Sequence, residues 1–186
     1  MHRFLAALTL AFALAACSGA PRAHAHPDPA LDALFTQLEA APDAAASAQI
    51  EARIWARWAE SGSPTVDILM DRAQTAERSG DAELAIRFLE QASDLAPDFA
   101  EPWDRRANLA YRARDYAGAI SAIQETLKRE PRHFGALTGL GMIREELGQN
   151  RAALEAYRAA LAINPHYDLA LRGVARLQPK VDGRDA

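Results

Sequence analysis

The stretch "DLAPDFAEPW" (residues 94–103) returns in altered form as "KREPRHFGAL" (128–137) and again as "AINPHYDLAL" (162–171), each copy 34 residues after the one before. Pro97, Pro131 and Pro165 fall in register, and Phe99, His133 and Tyr167 follow two residues later. Working outward gives three units, 66–99, 100–133 and 134–167. Their eighth positions are Ala73, Ala107 and Gly141, and their twentieth are Ala85, Ala119 and Ala153. Large apolar residues hold the fourth position (Leu69, Trp103, Leu137) and the twenty-fourth (Leu89, Ile123, Tyr157). Small residues at two points let a pair of antiparallel helices approach closely, while the larger ones fill the space around that contact. Each proline ends the second helix of its unit, because proline disfavours helical geometry in the residue before it.

Turn chemistry agrees. Gly80 and Gly148 fall between the two helices of units one and three, where a left-handed C-cap is expected. Unit two has Arg114 there, a local cost of about 1 kcal/mol if the same conformation is kept. Asp81 and Asp115 stand where a second helix begins, ready to accept from its free N–H groups. Pro102 suits the first turn of a helix.

This pattern resembles the tetratricopeptide repeat, whose period is 34 residues. The resemblance covers 66–167 and implies an all-α fold, an αα-hairpin solenoid of three repeats. Two positions depart from the family pattern. The usual leucine at position seven is Arg72 and Arg106 in the first two units, and the usual tyrosine at eleven is Ala76, Ala110 and Arg144.

A stack of repeats needs ends. Residues 168–178 carry Leu169, Val174 and Leu177 among Arg172 and Arg176, which reads as a capping helix stopped before Pro179, with a disordered tail over 179–186. At the other end, Leu31, Leu34, Phe35 and Leu38 follow helical spacing, as do Ile50, Ile54, Trp55 and Trp58. Residues 31–64 therefore read as a divergent helical hairpin, expected to stack on unit one with Trp55 and Trp58 in the junction. His133, sharing its position with Phe99 and Tyr167, is expected to pack as an aromatic at the corner between repeats.

Composition supports helix: alanine supplies 43 of the 186 residues. Net charge is −4 with both signs mixed along the chain, which argues against a nucleic-acid partner. The first 16 residues read as an export signal, with a basic start and the apolar run "FLAALTLAFALAA" (4–16). A helix of that length spans roughly 20 Å, short of a ~30 Å hydrocarbon core. Leu14-Ala15-Ala16-Cys17 resembles the lipobox of bacterial lipoproteins, which implies acylation of Cys17, the only cysteine. By the same resemblance, Ser18 after the cysteine points to the outer membrane. Ala23-His24-Ala25 is a competing cleavage site that would release a soluble periplasmic protein. Residues 17–30 read as a flexible tether of roughly 20 Å reach, its His24 and His26 too few to hold a metal.

The sequence carries no expected catalytic residue, metal ligand or cofactor site. Gly139-x-Gly141 lacks the preceding strand and third glycine of a dinucleotide loop. No Ser, His and Asp set has a recognisable motif context, and there is no helical pair of histidines for zinc. What remains is a surface for a protein or peptide partner. The resemblance implies that positions two, five, nine, twelve and thirteen of each first helix line a concave face. The candidate partner-binding residues are Arg105, Asn108, Tyr111 and Arg112, extended by Arg172 and Arg176. Arginine forks with an aromatic suit an acidic peptide or a terminal carboxylate. Asn108 with Arg105 resembles part of the carboxylate clamp of chaperone-binding repeats, although the clamp's lysines have no counterpart here. The expected function is an adaptor or scaffold in the bacterial envelope, with a structural subunit of an envelope assembly as the alternative and an enzyme as a remote third.

Overall fold

The computed structural model describes residues 28–183. The export signal over 1–16, Cys17, the Ala23-His24-Ala25 site, most of the tether and the last three residues lie outside that range. The described residues form nine helices and no strand: α1 (Pro29–Glu39), α2 (Ala44–Trp58), α3 (Pro64–Arg78), α4 (Ala82–Leu95), α5 (Glu101–Arg112), α6 (Tyr116–Arg129), α7 (Phe134–Glu146), α8 (Asn150–Ile163) and α9 (Asp168–Asp182). The pairs α3/α4, α5/α6 and α7/α8 are the three repeats, stacked in chain order, and α9 closes the stack against α7 and α8.

The helix pairs meet at the small residues. Ala73, Ala85, Ala119 and Ala153 have no exposed surface, and Leu89, Ile123 and Tyr157 fill the space beside them. Unit three is the variant. Tyr157 is larger than leucine, and glycine lies against it on two sides: a Cβ at Gly141 would come 2.6 Å from its ring and one at Gly173 2.5 Å. A large residue at position twenty-four thus requires the missing methyl at position eight and another on the capping helix.

The turns inside the repeats are three copies of one motif. In each, the N–H three residues past the helix reaches back five residues (Asp81 to Ala76, Asp115 to Ala110, Gln149 to Arg144, 2.8–2.9 Å). The residue before it is left-handed: Gly80 at φ 80°, Gly148 at 70°, and Arg114 at 61°, the one non-glycine of positive φ among the described residues. Asp81 and Asp115 accept from the N–H of Leu84 and Gly118, both at 2.9 Å, and so cap the helices that follow.

The N-terminal hairpin departs from expectation. It does not stack on unit one; it lies as a strap along the corners of units two and three. Its attachment uses positions 31 and 33 of both units and position 34 of unit two. At the second corner, Trp58 stacks on His133 (centroids 4.2 Å, planes 10° apart) and donates its Nε1–H to Glu130 at 3.2 Å. Trp55 meets His133 and Phe134 edge-on, and Arg132 reaches Asp32 while its guanidinium lies 4.1 Å from the Phe35 ring centroid. At the third corner, Ser47 donates to Asn164 at 3.1 Å, Asn164 donates to Glu51 at 2.8 Å, and His166 Nε2 lies 3.1 Å from the Ala41 carbonyl. The eight to eleven residues from Ser47 to Trp55 and Trp58 span about 12–16 Å of helix, so α2 runs from corner three to corner two, against the order of the repeats. The first corner offers Ala96 and Asp98 at positions 31 and 33. Ala96 has no side-chain polar group to match Glu130 or Asn164, which is a physical reason for the choice.

Two boundaries also shift. Helix α1 begins inside the expected tether, with Asp28 capping the N–H groups of Ala30 and Leu31 and Pro29 in the first turn. Helix α9 continues through Pro179 to Asp182 instead of stopping before it. Proline there removes a single donor, and Val181 packs against the apolar cluster beneath the helix.

Candidate functional site

The concave face is built by α5, α7 and the start of α9. A cleft of about 270 Å³ opens between them, lined by Asp104, Asn108 and Tyr111 from positions five, nine and twelve of unit two. Gly135, Gly139 and Met142 from α7 and Leu169 from α9 complete the mouth, and Ala107, Ile123, Ala136 and Ile143 form an apolar floor. Missing side chains at Gly135 and Gly139 make the depth, and Trp55 of the strap closes the side of Gly135, where a Cβ would stand 2.5 Å from its indole. A neighbouring hollow of about 420 Å³ shares Tyr111 and Met142 and adds Glu145, Glu146, Tyr157 and Arg176. Among the candidates named from sequence, Asn108, Tyr111 and Arg176 therefore line the groove.

The arginines are engaged within the chain. Arg105 donates to the Glu77 carboxylate at 2.9–3.0 Å and is mostly buried. Arg112 reaches the other oxygen of Glu77 at 3.4 Å. Arg172 pairs with Asp168 one turn earlier on its own helix, at 2.6 Å. Arg176 grips Glu145 with two N–H groups at 2.6 and 2.7 Å, and Tyr157 donates to the same carboxylate at 3.0 Å. The Arg176 fork holds the Glu145 carboxyl below its ordinary range. Arg105 and Arg112 lie together over unit one, whereas Arg172 and Arg176 lie on the capping helix, so the six residues do not form one patch.

The carboxylates tell a different story. Glu101 and Glu146 have no hydrogen-bond or ion-pair partner among the described residues. Asp104 accepts from Asn108 at 3.1 Å and stands 4.0 Å from His133 Nδ1. Glu101, Asp104 and His133 each bring one polar atom within 4.8 Å of the others. Burial, with Asp104 and Glu77 nearby, pushes the Glu101 carboxyl up to about 7 against the pull of Arg105. His133 caps α7: its Nδ1 accepts from the Ala136 N–H at 3.0 Å, which puts the ring proton on Nε2. That Nε2 is buried without a partner, and burial pushes the imidazole pKa down, so the ring is neutral at pH 7. His133 thus packs as the corner aromatic its position suggested and, in addition, caps a helix. The acidic grouping was missed from sequence because His133 enters from the far end of unit two. Its trace was present: acids at positions two and five of one unit with a histidine at position 34.

A solenoid of paired helices with a preformed concave cleft defines the class of helical-repeat binding modules. Within it, the sequence matches the tetratricopeptide repeat family over residues 66–99 and 105–176. It is 39% identical to a TPR repeat-containing protein of Rhizobium etli over 163 residues, covering 87% of this chain and 79% of that one. The chain belongs to the tetratricopeptide repeat family. Among solved structures, the first TPR of Spaghetti (RPAP3), bound to the HSP90 peptide SRMEEVD, aligns with a TM-score of 0.60 at 18% identity, over 64% of this chain and 95% of that one. MamA AMB-1 aligns with a TM-score of 0.54 at 17% identity, over 82% and 80%. These two likenesses concern the fold alone.

Proposed function

We propose that this protein is an exported adaptor that holds a segment of a partner protein in the groove between α5, α7 and α9, and is anchored to the outer membrane by acylated Cys17. The cleft at positions two, five, nine and twelve carries the reading: it is preformed, apolar at its floor and polar at its rim, as a peptide-binding groove requires. That the Spaghetti repeat was solved with a peptide adds support by analogy. Cross-linking in the native envelope, followed by identification of the captured protein, tests it. A single partner should be lost on Asn108→Ala with Tyr111→Ala, and capture unchanged in that variant defeats the groove. Anchoring is tested separately: Cys17→Ser should leave an unprocessed precursor. If processing persists, cleavage after Ala25 and a soluble periplasmic protein is the better account.

A structural subunit of an envelope assembly is the second reading, favoured by the leading face of unit one. There Ile68 is 53% exposed beside half-buried Leu84 and Phe88, because the hairpin that would cover them lies elsewhere. Co-purification at fixed stoichiometry, with Ile68 protected, would support that reading over the adaptor.

A further inference from the structure

We infer that the groove selects a partner segment carrying a cationic side chain, lysine or arginine, whose stem lies in the α5–α7 cleft and whose head meets Asp104 and Glu101. The inference rests on the groove reading above and reverses the charge expected from sequence. Asp104 lines the cleft with Glu101 beside it, Glu145, Glu146 and Arg176 line the adjoining hollow, and Arg105 and Arg112 are turned to Glu77 of unit one. The three guanidiniums are held by Glu77 and Glu145. An incoming carboxylate would have to displace one of those pairs and would meet the remaining acids, whereas a cation displaces nothing.

Shape agrees with charge. The cleft, about 270 Å³, accommodates one long side chain, and its floor is apolar, as a methylene stem requires. Asp104 stands on its rim with Glu101 beside it. Burial holds the half-buried Glu101 carboxyl up at about 7, only partly ionised at neutral pH, and a bound ammonium or guanidinium would draw it back to the charged form. His133, its Nδ1 occupied by the Ala136 N–H, is the neutral wall of the subsite.

The test presents the exported, processed chain to a random decapeptide library with free and blocked C-termini. Enrichment of Lys or Arg beside an aliphatic residue is expected. The affinity of the best enriched peptide, followed by fluorescence anisotropy, should fall at least tenfold in Asp104→Asn and severalfold in Glu101→Gln, and hold in Glu83→Gln on α4. Glu101→Gln replaces a half-buried carboxyl by its neutral isostere and keeps the fold, so its result stands even if Asp104→Asn unfolds. Enrichment of Asp, Glu or free carboxyl ends overturns the inference while leaving the groove reading intact. A library that yields no binder at all defeats the groove reading itself. Calorimetric binding of Zn2+ at this cluster, with no cationic peptide enriched, makes it a metal site and overturns the inference too.

Discussion

The hairpin α1–α2 and the repeat α3/α4 are neighbours in the chain and are built alike, as antiparallel helices with an apolar seam, yet they are attached by opposite rules. Inside each repeat the two helices pair through small residues at fixed positions, and the repeats stack in the order in which they are written. The hairpin skips the repeat next to it and binds the second and third corners, through side chains that recur every 34 residues: Glu130 and Asn164, Arg132 and His166. Pairing by shape at alanine-sized notches needs no particular partner beyond the next helix. Attachment by hydrogen bonds and aromatic stacking depends on which corner carries the groups. The consequence is an array whose leading face is uncovered among the described residues and whose groove edge is walled by Trp55.

The largest expected effect tests the hairpin. Trp58→Ala removes the stack on His133 and the donor to Glu130, and should cost about 3–5 kcal/mol in urea denaturation. Hydrogen exchange in that variant should show α1 and α2 losing protection while α5 to α8 keep theirs. Gly173→Ala tests the notches. Its methyl meets the Tyr157 ring, so a loss of about 1–3 kcal/mol is expected, largely recovered when Tyr157→Leu is added. Should the second change recover nothing, the size matching between unit three and α9 is wrong.

Glu101→Gln probes the seam between strap and groove, and its sign depends on pH. The folded carboxyl titrates at about 7, above its ordinary 4.5, so the native state favours the protonated acid. The stability this contributes is full at low pH and is lost as pH rises through 7. Glutamine mimics the protonated form, so the variant should match the parent near pH 4.5 and be about 1–2 kcal/mol more stable at pH 8. The smallest effect sharpens the comparison among the turns: Arg114→Gly should add about 1 kcal/mol, since Gly80 and Gly148 already occupy the same left-handed site without strain.

What could be read from the sequence follows from the same contrast. Positions eight, twenty and twenty-four declared themselves because a notch is a local property, repeated three times in register. Arg114 could be assigned a left-handed turn for the same reason. The strap could not, since helical spacing says that Trp58 is covered but not by what, and the answer lies 72 residues away at Glu130. Proximity in the chain pointed to unit one, and the polar residues at position 31 overruled it. Of the groove, the lining positions were legible and the charge was not. Arg105 and Arg112 read as free cations until Glu77, at position twelve of the unit before, is seen to hold both. Glu145 and Arg176 repeat that relation two junctions further on, so an acid at position twelve opposite a base on the next first helix is a trace that could have been found.

The attachment of the hairpin to the second corner is tested most directly by proton nuclear Overhauser effects from the Trp58 indole in the unmodified chain. The account predicts strong cross-peaks to the His133 imidazole, whose ring centroid stands 4.2 Å away, and none to Ile68 or Phe88. Cross-peaks to Ile68 and Phe88, with His133 silent, would return the hairpin to unit one and contradict it.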